Sequence, residues 1–475
     1  MLANLIDGKW VVPSKATPYP IYDPSTGEVI EEVPLSEPTV VDAAVKAAQA
    51  AQPMWAAMSL TERVARMFRF KALLESRFED LALAVTRNHG KTLDEARGEV
   101  RRGIDVVDFA CGAPTLLQGR TLREVSTSVD QDVYRFPIGV AAGIPPFNFP
   151  VMIPLWMFPL AIVAGNTFVL KPSERTPLGA ALLAELVNEI FPPGVFNMVH
   201  GASEAAEALI THDGIQAVSF VGSEPVARRV YEIAAAHHKR VQAAGGAKNH
   251  IIVMDDADLD LAVPAIIGSA FGNAGERCLA GSVVLTVGHI GDELLPRLQE
   301  RAEKLVIGPG TDQSVELGPL VRAEHRQKVV SYIEKGISEG AHLLLDGRAL
   351  MERPGFFLGP TILNEVSTKM SVGREEIFGP VLSVASTATL REAIERANTM
   401  ELGNMAAIFT SNGKAAHEFR ESIEAGMVGI NVGVAQPFAF YPFSGWKRSF
   451  YGDLHIEGTD GIEFYTKKKV VVSRW

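Results

Sequence analysis

The stretch FGNAGERCLAGS, Phe271 to Ser282, places Cys278 among small residues and directly after Arg277; it is one of only two cysteines in 475 residues. Small neighbours let a second molecule approach closely, and an adjacent guanidinium favours the thiolate, the form in which cysteine attacks carbonyls. Free cysteine is also among the most buried residue types, so these flanks leave nucleophile and packing residue both open. Cys111, in DFACGAP on an expected helix, reads as packing. Asn148 stands among prolines and aromatics in PPFNFP. An amide in so rigid an apolar segment either holds a loop or offers an N–H to a developing oxyanion.

Two further groups bear on ligand binding. Lys171, Ser173 and Glu174, in VLKPSE, follow an apolar strand where a ribose would meet a sheet; a solvated strand end is the alternative. Gly222 and Ser223, in SFVGSEP, sit between a strand and a helix, where backbone N–H groups suit a pyrophosphate.

The elements that must position these groups alternate. TFVL, GVFNMVHG and AVSFVGS read as strands; TPLGAALLAELVNEI, SEAAEALITH and PVARRVYEIAAAHH read as helices. That pattern predicts a parallel sheet with right-handed crossovers and ligands at its carboxyl ends. No G-x-G-x-x-G marks these turns, so the ordinary dinucleotide fingerprint is missing. A second α/β pattern runs from NHIIVM through Cys278 to EEIFGPVLSV and GNMAAIFTS. Upstream, NLIDGKWVV predicts a hairpin and Val41–Ala57 a helix. Another helix is expected after the capping-box spacing of Ser59 and Glu62, with Val64, Met67, Phe68 and Leu74 on one face.

Composition narrows the class. Apolar residues make up 47% and charged residues 21%, ordinary for a soluble globular chain of two or three domains. A net charge of −11 argues against nucleic acid as a partner. Two cysteines make no disulfide scaffold, no metal-ligand cluster stands out, and Asp7 interrupts any apolar leader, so a reducing, cytoplasmic setting is the expectation. Phe136 to Leu170 carries no charge, but Pro137, Pro145, Pro146, Pro150, Pro154 and Pro159 rule out one continuous spanning helix.

PFNFP, VLKPSE, FVGS, the Gly-Gly before Lys248, GERC and EEIFGPV occur in the order seen in the aldehyde dehydrogenase superfamily, and the resemblance covers nearly the whole chain. It implies a Rossmann-like NAD-binding domain (1–117 and 138–246), an α/β catalytic domain (247–455) and oligomerisation strands (118–137 and 456–475). It implies Cys278 as the nucleophile, with Asn148 and the Cys278 N–H as the oxyanion hole. Lys171 and Glu174 would then hold the adenosine ribose of NAD, with Ser173 also at the cofactor, and Gly222 and Ser223 would lie by its pyrophosphate. Glu376 would hold the nicotinamide ribose, with Phe147 and Phe378 packing near it.

One position departs from the superfamily. Most members have Glu-Leu-Gly-Gly-Lys, whose Glu activates the water that hydrolyses the thioester. Here VQAAGGAKNH places Ala244 there, and a methyl group accepts no proton. GAKNH, GERC, PLWMFP and GDLHIEGTDGIEFYT resemble a narrower group, the CoA-acylating methylmalonate-semialdehyde dehydrogenases. That resemblance implies coenzyme A as acyl acceptor and a short carboxylated semialdehyde as substrate, with loss of CO2. It also implies Arg102 and Arg277 on the carboxylate, Trp156 and Phe443 on the substrate side, and a homodimer or homotetramer joined through YTKKKVVVSRW. Arg101 competes with Arg102 for the match. The rival readings are a hydrolytic enzyme, for which Glu276 is the nearby base, and a non-catalytic scaffold of the same fold.

Overall fold

A computed structural model describes residues 1–475 apart from Lys15. The chain is α/β, built on two large sheets. The first has eight strands, and its parallel centre runs Phe196–Met198, Thr167–Leu170, Val140–Ile144, Ile215–Gly222, Arg240–Gly245. The chain leaves Val140–Ile144 first to one side and then to the other. That reversal makes the crevice beyond its carboxyl end a ligand position. The second sheet has seven strands: His342–Leu345, Thr361–Asn364, Val381–Thr387, Gly281–Val287, Asn249–Val253, Met405–Phe409 and Met427–Ile430. All but the first of these pair in parallel.

The apolar run expected to be a broken strand–loop–helix segment is the strand Val140–Ile144, a loop, and the helix Met152–Val163. Every residue of that helix is buried. It packs most heavily on the helix Leu93–Cys111, which buries Cys111 in the core. Among the described residues, no helix is long and apolar enough to cross a membrane.

Local signals act as expected at several ends. Asp7 and Gly8, both at positive φ, turn the hairpin of Asn4–Ile6 and Lys9–Val11. Ser59 and Glu62 close a complete capping box on the helix Leu60–Ser76. On that helix Val64, Met67 and Leu74 are buried, but Phe68 is 54% exposed and Phe70 takes its place in the core. Phe68 follows Met67 by one residue, about 100° around the helix, whereas Phe70 falls three residues on.

Two segment boundaries also differ from the expectation. Phe450–Tyr451, within the stretch assigned to the catalytic domain, pairs antiparallel with Arg240–Gly245 and completes the edge of the first sheet. Backbone groups of a parallel strand left bare there would need other partners. Within 456–475, only Thr466–Arg474 is a strand, pairing with Val129–Pro137 in a sheet with Arg120–Ser126. Gly458–Phe464 before it is a helix that packs on Met152–Val163.

Phe70→Ala should cost about 3–5 kcal/mol of stability, while Phe68→Ala should stay within about 0.5 kcal/mol. Chemical denaturation of the two variants checks this, and similar losses would contradict the assignment.

Candidate active site

One cavity of about 430 Å³ opens between the two sheets. The first sheet contributes residues at its strands' carboxyl ends: Phe147 and Asn148, Lys171 to Arg175, and Gly222 and Ser223. The second sheet contributes residues lying just before its strands: Cys278 ahead of Gly281–Val287, and Glu376 and Phe378 ahead of Val381–Thr387. Thus Cys278, Asn148, Phe147, Lys171, Ser173, Glu174, Gly222, Ser223, Glu376 and Phe378 all line a single space.

The cysteine turn is built from strained backbone. Asn273, Ala274 and Gly275 have φ of 57°, 52° and 72°, and Phe378, across the turn, has 61°. Such residues cost on the order of 1–3 kcal/mol each where they carry a side chain. A Cβ on Gly275 would stand 2.1 Å from the Gly379 carbonyl oxygen, so only glycine fits. Surrounding bonds hold the turn. Asn273 N–H donates to Glu95 Oε1 (2.5 Å), and the Asn273 amide donates to the Glu276 carbonyl (2.7 Å). The Cys278 carbonyl accepts from the amides of Asn249 and Asn404, both at 2.9 Å.

Asn148 Nδ2 donates to the Glu276 carbonyl at 2.9 Å, leaving its second N–H for another acceptor. Its own carbonyl accepts from the buried Lys91 ammonium (2.6 Å), which also pairs with Glu99 (2.7 Å). Glu99 Oε1 in turn accepts the Val151 and Met152 N–H groups. Asn148 is therefore locked in place before any ligand arrives.

Burial, and then the Glu376 carboxylate, push the Cys278 thiol up to about 12, against the opposing pull of Arg277. Arg277 alone does not make the resting group a thiolate. Burial also lifts Glu376 to about 7, although the Ala247 N–H donates to its Oε1 at 2.9 Å. Lys171 is held by the carbonyls of Pro172 and Gly201, 2.7 and 2.6 Å away, and lies 3.7 Å from Glu174. The helix Glu224–Ala236 begins at the cavity-lining Ser223 with no side-chain cap; in its first turn Pro225 has no N–H and the Val226 N–H donates to the Ser223 carbonyl at 3.1 Å.

Four expected residues lie outside this lining. Arg101 is ion-paired with Glu75, whereas Arg102 turns its guanidinium over the Phe438 ring at 4.7 Å. This separates the two neighbouring arginines. Trp156 is buried with its ring 5.0 Å from Phe443, whose N–H is bonded to the Ile456 carbonyl. Arg277 lies along Gly272, at the back of the cysteine turn. Ala244, buried in its strand opposite Phe450, brings no polar group to the cavity.

Sequence reasoning passed over Arg175, His325 and Lys328, which also line the cavity. The last two sit on the helix Ala323–Ser338, and only their spacing of three hinted at a shared face.

Residues 10–471 match the Aldehyde dehydrogenase family. The chain belongs to that family. It is 53% identical, over 100% of its length and 99% of the relative's, to malonate-semialdehyde dehydrogenase 2 of Geobacillus kaustophilus (strain HTA426). The crystal structure of methylmalonate-semialdehyde dehydrogenase from Oceanimonas doudoroffii superposes with a TM-score of 0.98 at 45% identity, covering 100% of this chain and 98% of the other. A Sinorhizobium meliloti 1021 structure, provisionally named as a methylmalonate-semialdehyde dehydrogenase and complexed with NAD, matches with the same score, identity and coverage. The aldehyde dehydrogenase fold accounts for the two-sheet architecture and for the cavity between the sheets.

With the thiol held protonated, alkylation of Cys278 by iodoacetamide should be slow at pH 7 and rise about tenfold per pH unit in the ligand-free protein. Rates measured in a Cys111→Ser background check this. A fast, pH-independent reaction between pH 6 and 8 would contradict it.

Proposed function

We propose that this chain oxidises a short carboxylated semialdehyde, of the malonate- or methylmalonate-semialdehyde type, with NAD as hydride acceptor and coenzyme A as acyl acceptor. The observation that carries this reading is the full-length likeness to malonate-semialdehyde dehydrogenases, joined to a cavity in which Cys278 and Asn148 stand together.

The residues fit NAD. Lys171 and Glu174 stand where ribose hydroxyls would meet the sheet, Ser223 opens a helix N-terminus for the pyrophosphate, and Glu376 turns toward the same space. The Glu174 carboxylate accepts a bond from a 2′-hydroxyl and repels a 2′-phosphate, which favours NAD over NADP. When bound, NAD supplies the two-electron acceptor. The chain does the rest. Cys278 Sγ adds to the aldehyde carbon. The free N–H of the Asn148 amide and the Cys278 N–H hold the resulting alkoxide. Phe147 and Phe378 wall the cavity. Arg102 and Arg277 stand outside the cavity lining, yet both are partly exposed, and theirs are the guanidinium groups assigned to the distal carboxylate, a task suited to a guanidinium fork.

Oxidation leaves a thioester on Cys278, and Ala244 offers no proton acceptor to a water molecule. General-base help of that kind is worth roughly 10²–10⁴-fold. A CoA thiolate needs no strong base. It attacks the thioester carbonyl, and the Cys278 thiolate leaves. A 3-oxo acyl group also loses CO2, because its carbonyl accepts the electrons of the breaking bond. Glu276 is not placed to serve water as base: its carboxyl is fully buried and outside the cavity lining. Glu376 lines the cavity, and burial lifts its carboxyl to about 7; in the second reading, hydrolysis to a free acid, it replaces Glu276 as the candidate base.

The protein acts in the cytoplasm as a homodimer or homotetramer. The sheet of Arg120–Ser126, Val129–Pro137 and Thr466–Arg474 supports assembly, since it leaves Leu122, Tyr134, Val470 and Val472 exposed.

Malonate semialdehyde with NAD but no CoA should give a burst of about one NADH per site and then slow turnover. Adding CoA should sustain turnover and accumulate an acyl-CoA detectable by mass. Fast steady turnover without CoA, giving only free acid, would move the final step to water and the base to Glu376.

Arg102→Leu and Arg277→Leu should cost on the order of 2–5 kcal/mol in kcat/KM for carboxylated semialdehydes and far less for propanal. Equal losses on both substrates would assign these arginines to the fold.

A further inference from the structure

Behind the cavity wall, three ionisable side chains from separate segments meet. Glu276 and His89 are wholly buried, and His325 reaches them from the helix Ala323–Ser338. Glu276 Oε2 lies 3.5 Å from His89 Nε2, and Oε1 lies 3.5 Å from His325 Nε2 and 3.4 Å from the Val321 N–H. Glu276 Oε2 and both ring nitrogens of His89 have no hydrogen-bond partner. Groups so deep are ordinarily satisfied, and the function derived above uses neither the Glu276 carboxyl nor His89.

Their neighbours are the groups that the reaction needs. His89 stacks on Phe147 (centroids 6.1 Å apart, planes at 15°), and Phe147 meets His325 and Phe378 edge-on at 6.1 and 5.8 Å. His325 Nε2–H donates to the Phe378 carbonyl at 2.7 Å, holding that left-handed residue. The Glu276 carbonyl is the acceptor that fixes the Asn148 amide. The one residue therefore reaches the cysteine turn, the Asn148 loop and, through His325, the Phe378 turn.

We propose that Glu276 is a positioning residue that works as the neutral acid: it links His89 to the Val321 N–H, packs against His325, and thereby fixes Phe147 and Phe378, the two rings by the nicotinamide end of the cavity, relative to Asn148 and Cys278. The inference rests on the reading that this cavity takes NAD. The protonation pattern follows from donors and acceptors. The His325 Nε2–H is committed to Phe378. A proton on Glu276 Oε2 can be donated to His89 Nε2, while Oε1 stays free to accept from the Val321 N–H. A carboxylate could accept from a His89 Nε2–H, but at this depth it would have no pairing cation, since the nearby Lys91 is satisfied by Glu99 and the Asn148 carbonyl; burial therefore favours the neutral acid.

The charges around the cluster agree. Lys91 faces it but is satisfied by Glu99 and the Asn148 carbonyl; Arg175 lies over Phe147 at 5.4 Å; Lys328 stands beside His325. Burial raises the Glu276 carboxyl well above the usual carboxylate range and holds both histidines low, His325 at about 4. The contacts of 3.5 Å are long, as active-site bonds often are before a ligand tightens them.

The test compares Glu276→Gln and Glu276→Ala in the full chain. It uses propanal in a pre-steady-state NADH burst, NAD titration by protein fluorescence, and circular dichroism for folding. Gln keeps the shape, the neutral charge and a donor toward His89. It should retain the burst rate within about threefold, whereas Ala should lower it by roughly tenfold or more while remaining folded. With a raised pKa, wild-type positioning is intact below that pKa and lost as pH rises through it. The wild-type burst rate should therefore fall relative to that of Glu276→Gln at alkaline pH. Glu376, Lys248 and Cys278 are common to both proteins, so the difference between the profiles belongs to residue 276. If Gln loses as much as Ala, the working form is charged and the proposal fails. It also fails if Ala keeps the wild-type burst rate, or if the two pH profiles coincide. Failure of wild-type protein to bind NAD would instead overturn the functional reading, and this inference with it.

Discussion

A buried ammonium–carboxylate pair holds the first half of the site together. Lys91 and Glu99 are fully enclosed, and each has further partners: the Asn148 carbonyl for the lysine, the Val151 and Met152 N–H groups for the glutamate. An ion pair in such a place adds little stability as a pair, because desolvation offsets the attraction. Its effect lies in geometry. The segment Pro145–Val151 leaves a strand, passes three prolines and enters a helix whose first turn lacks a side-chain cap. The glutamate satisfies that turn, and the lysine fixes the carbonyl of the residue whose amide faces the cysteine turn. Removing either partner would strand the other charge in the core and free the loop, at a cost of about 3–5 kcal/mol.

The second half is held by shape. Three consecutive left-handed residues bring Cys278 round to the cavity, and Gly275 presses against Gly379 so closely that two turns become one rigid body. Across the gap, the only polar link from the Asn148 amide among the described residues goes to a backbone carbonyl. Side-chain chemistry next to the cysteine can therefore vary while the oxyanion donor keeps its address.

Much of this was legible in the sequence, and the reason is local. Lys171 and Glu174 follow an apolar strand, so their place at a carboxyl end could be read from pattern alone. Ser59 and Glu62 carry their own helix start. Cys278 and Asn148 were ambiguous by residue type, and the order of motifs along the chain singled them out. What stayed hidden depends on distant segments or on exact backbone direction. His325 and Lys328 come to the cavity, and His89 to the space behind its wall, from helices that carry no motif. Glu276 stands two residues from Cys278 and so looked like a base for water, but the left-handed run turns its carboxyl to the far side of Phe147. Phe68 and Phe70 both suit an apolar stripe, and only packing distinguishes them. Phe450–Tyr451 is too short for any periodicity to show.

That two-residue strand has a consequence for how the chain is made. Synthesis proceeds from the N-terminus, so Arg240–Gly245 emerges with one edge bare and stays so until some two hundred further residues have been added. The partner of Val129–Pro137 arrives later still, with Thr466–Arg474. Until then a nascent chain already holding an apolar sheet presents two open rows of backbone N–H and C=O groups, the geometry on which intermolecular β-pairing starts. Both edges are thus closed by pairings between residues far apart in the chain, and until residues 450–451 and 466–474 have emerged they must be kept from intermolecular contact by other means.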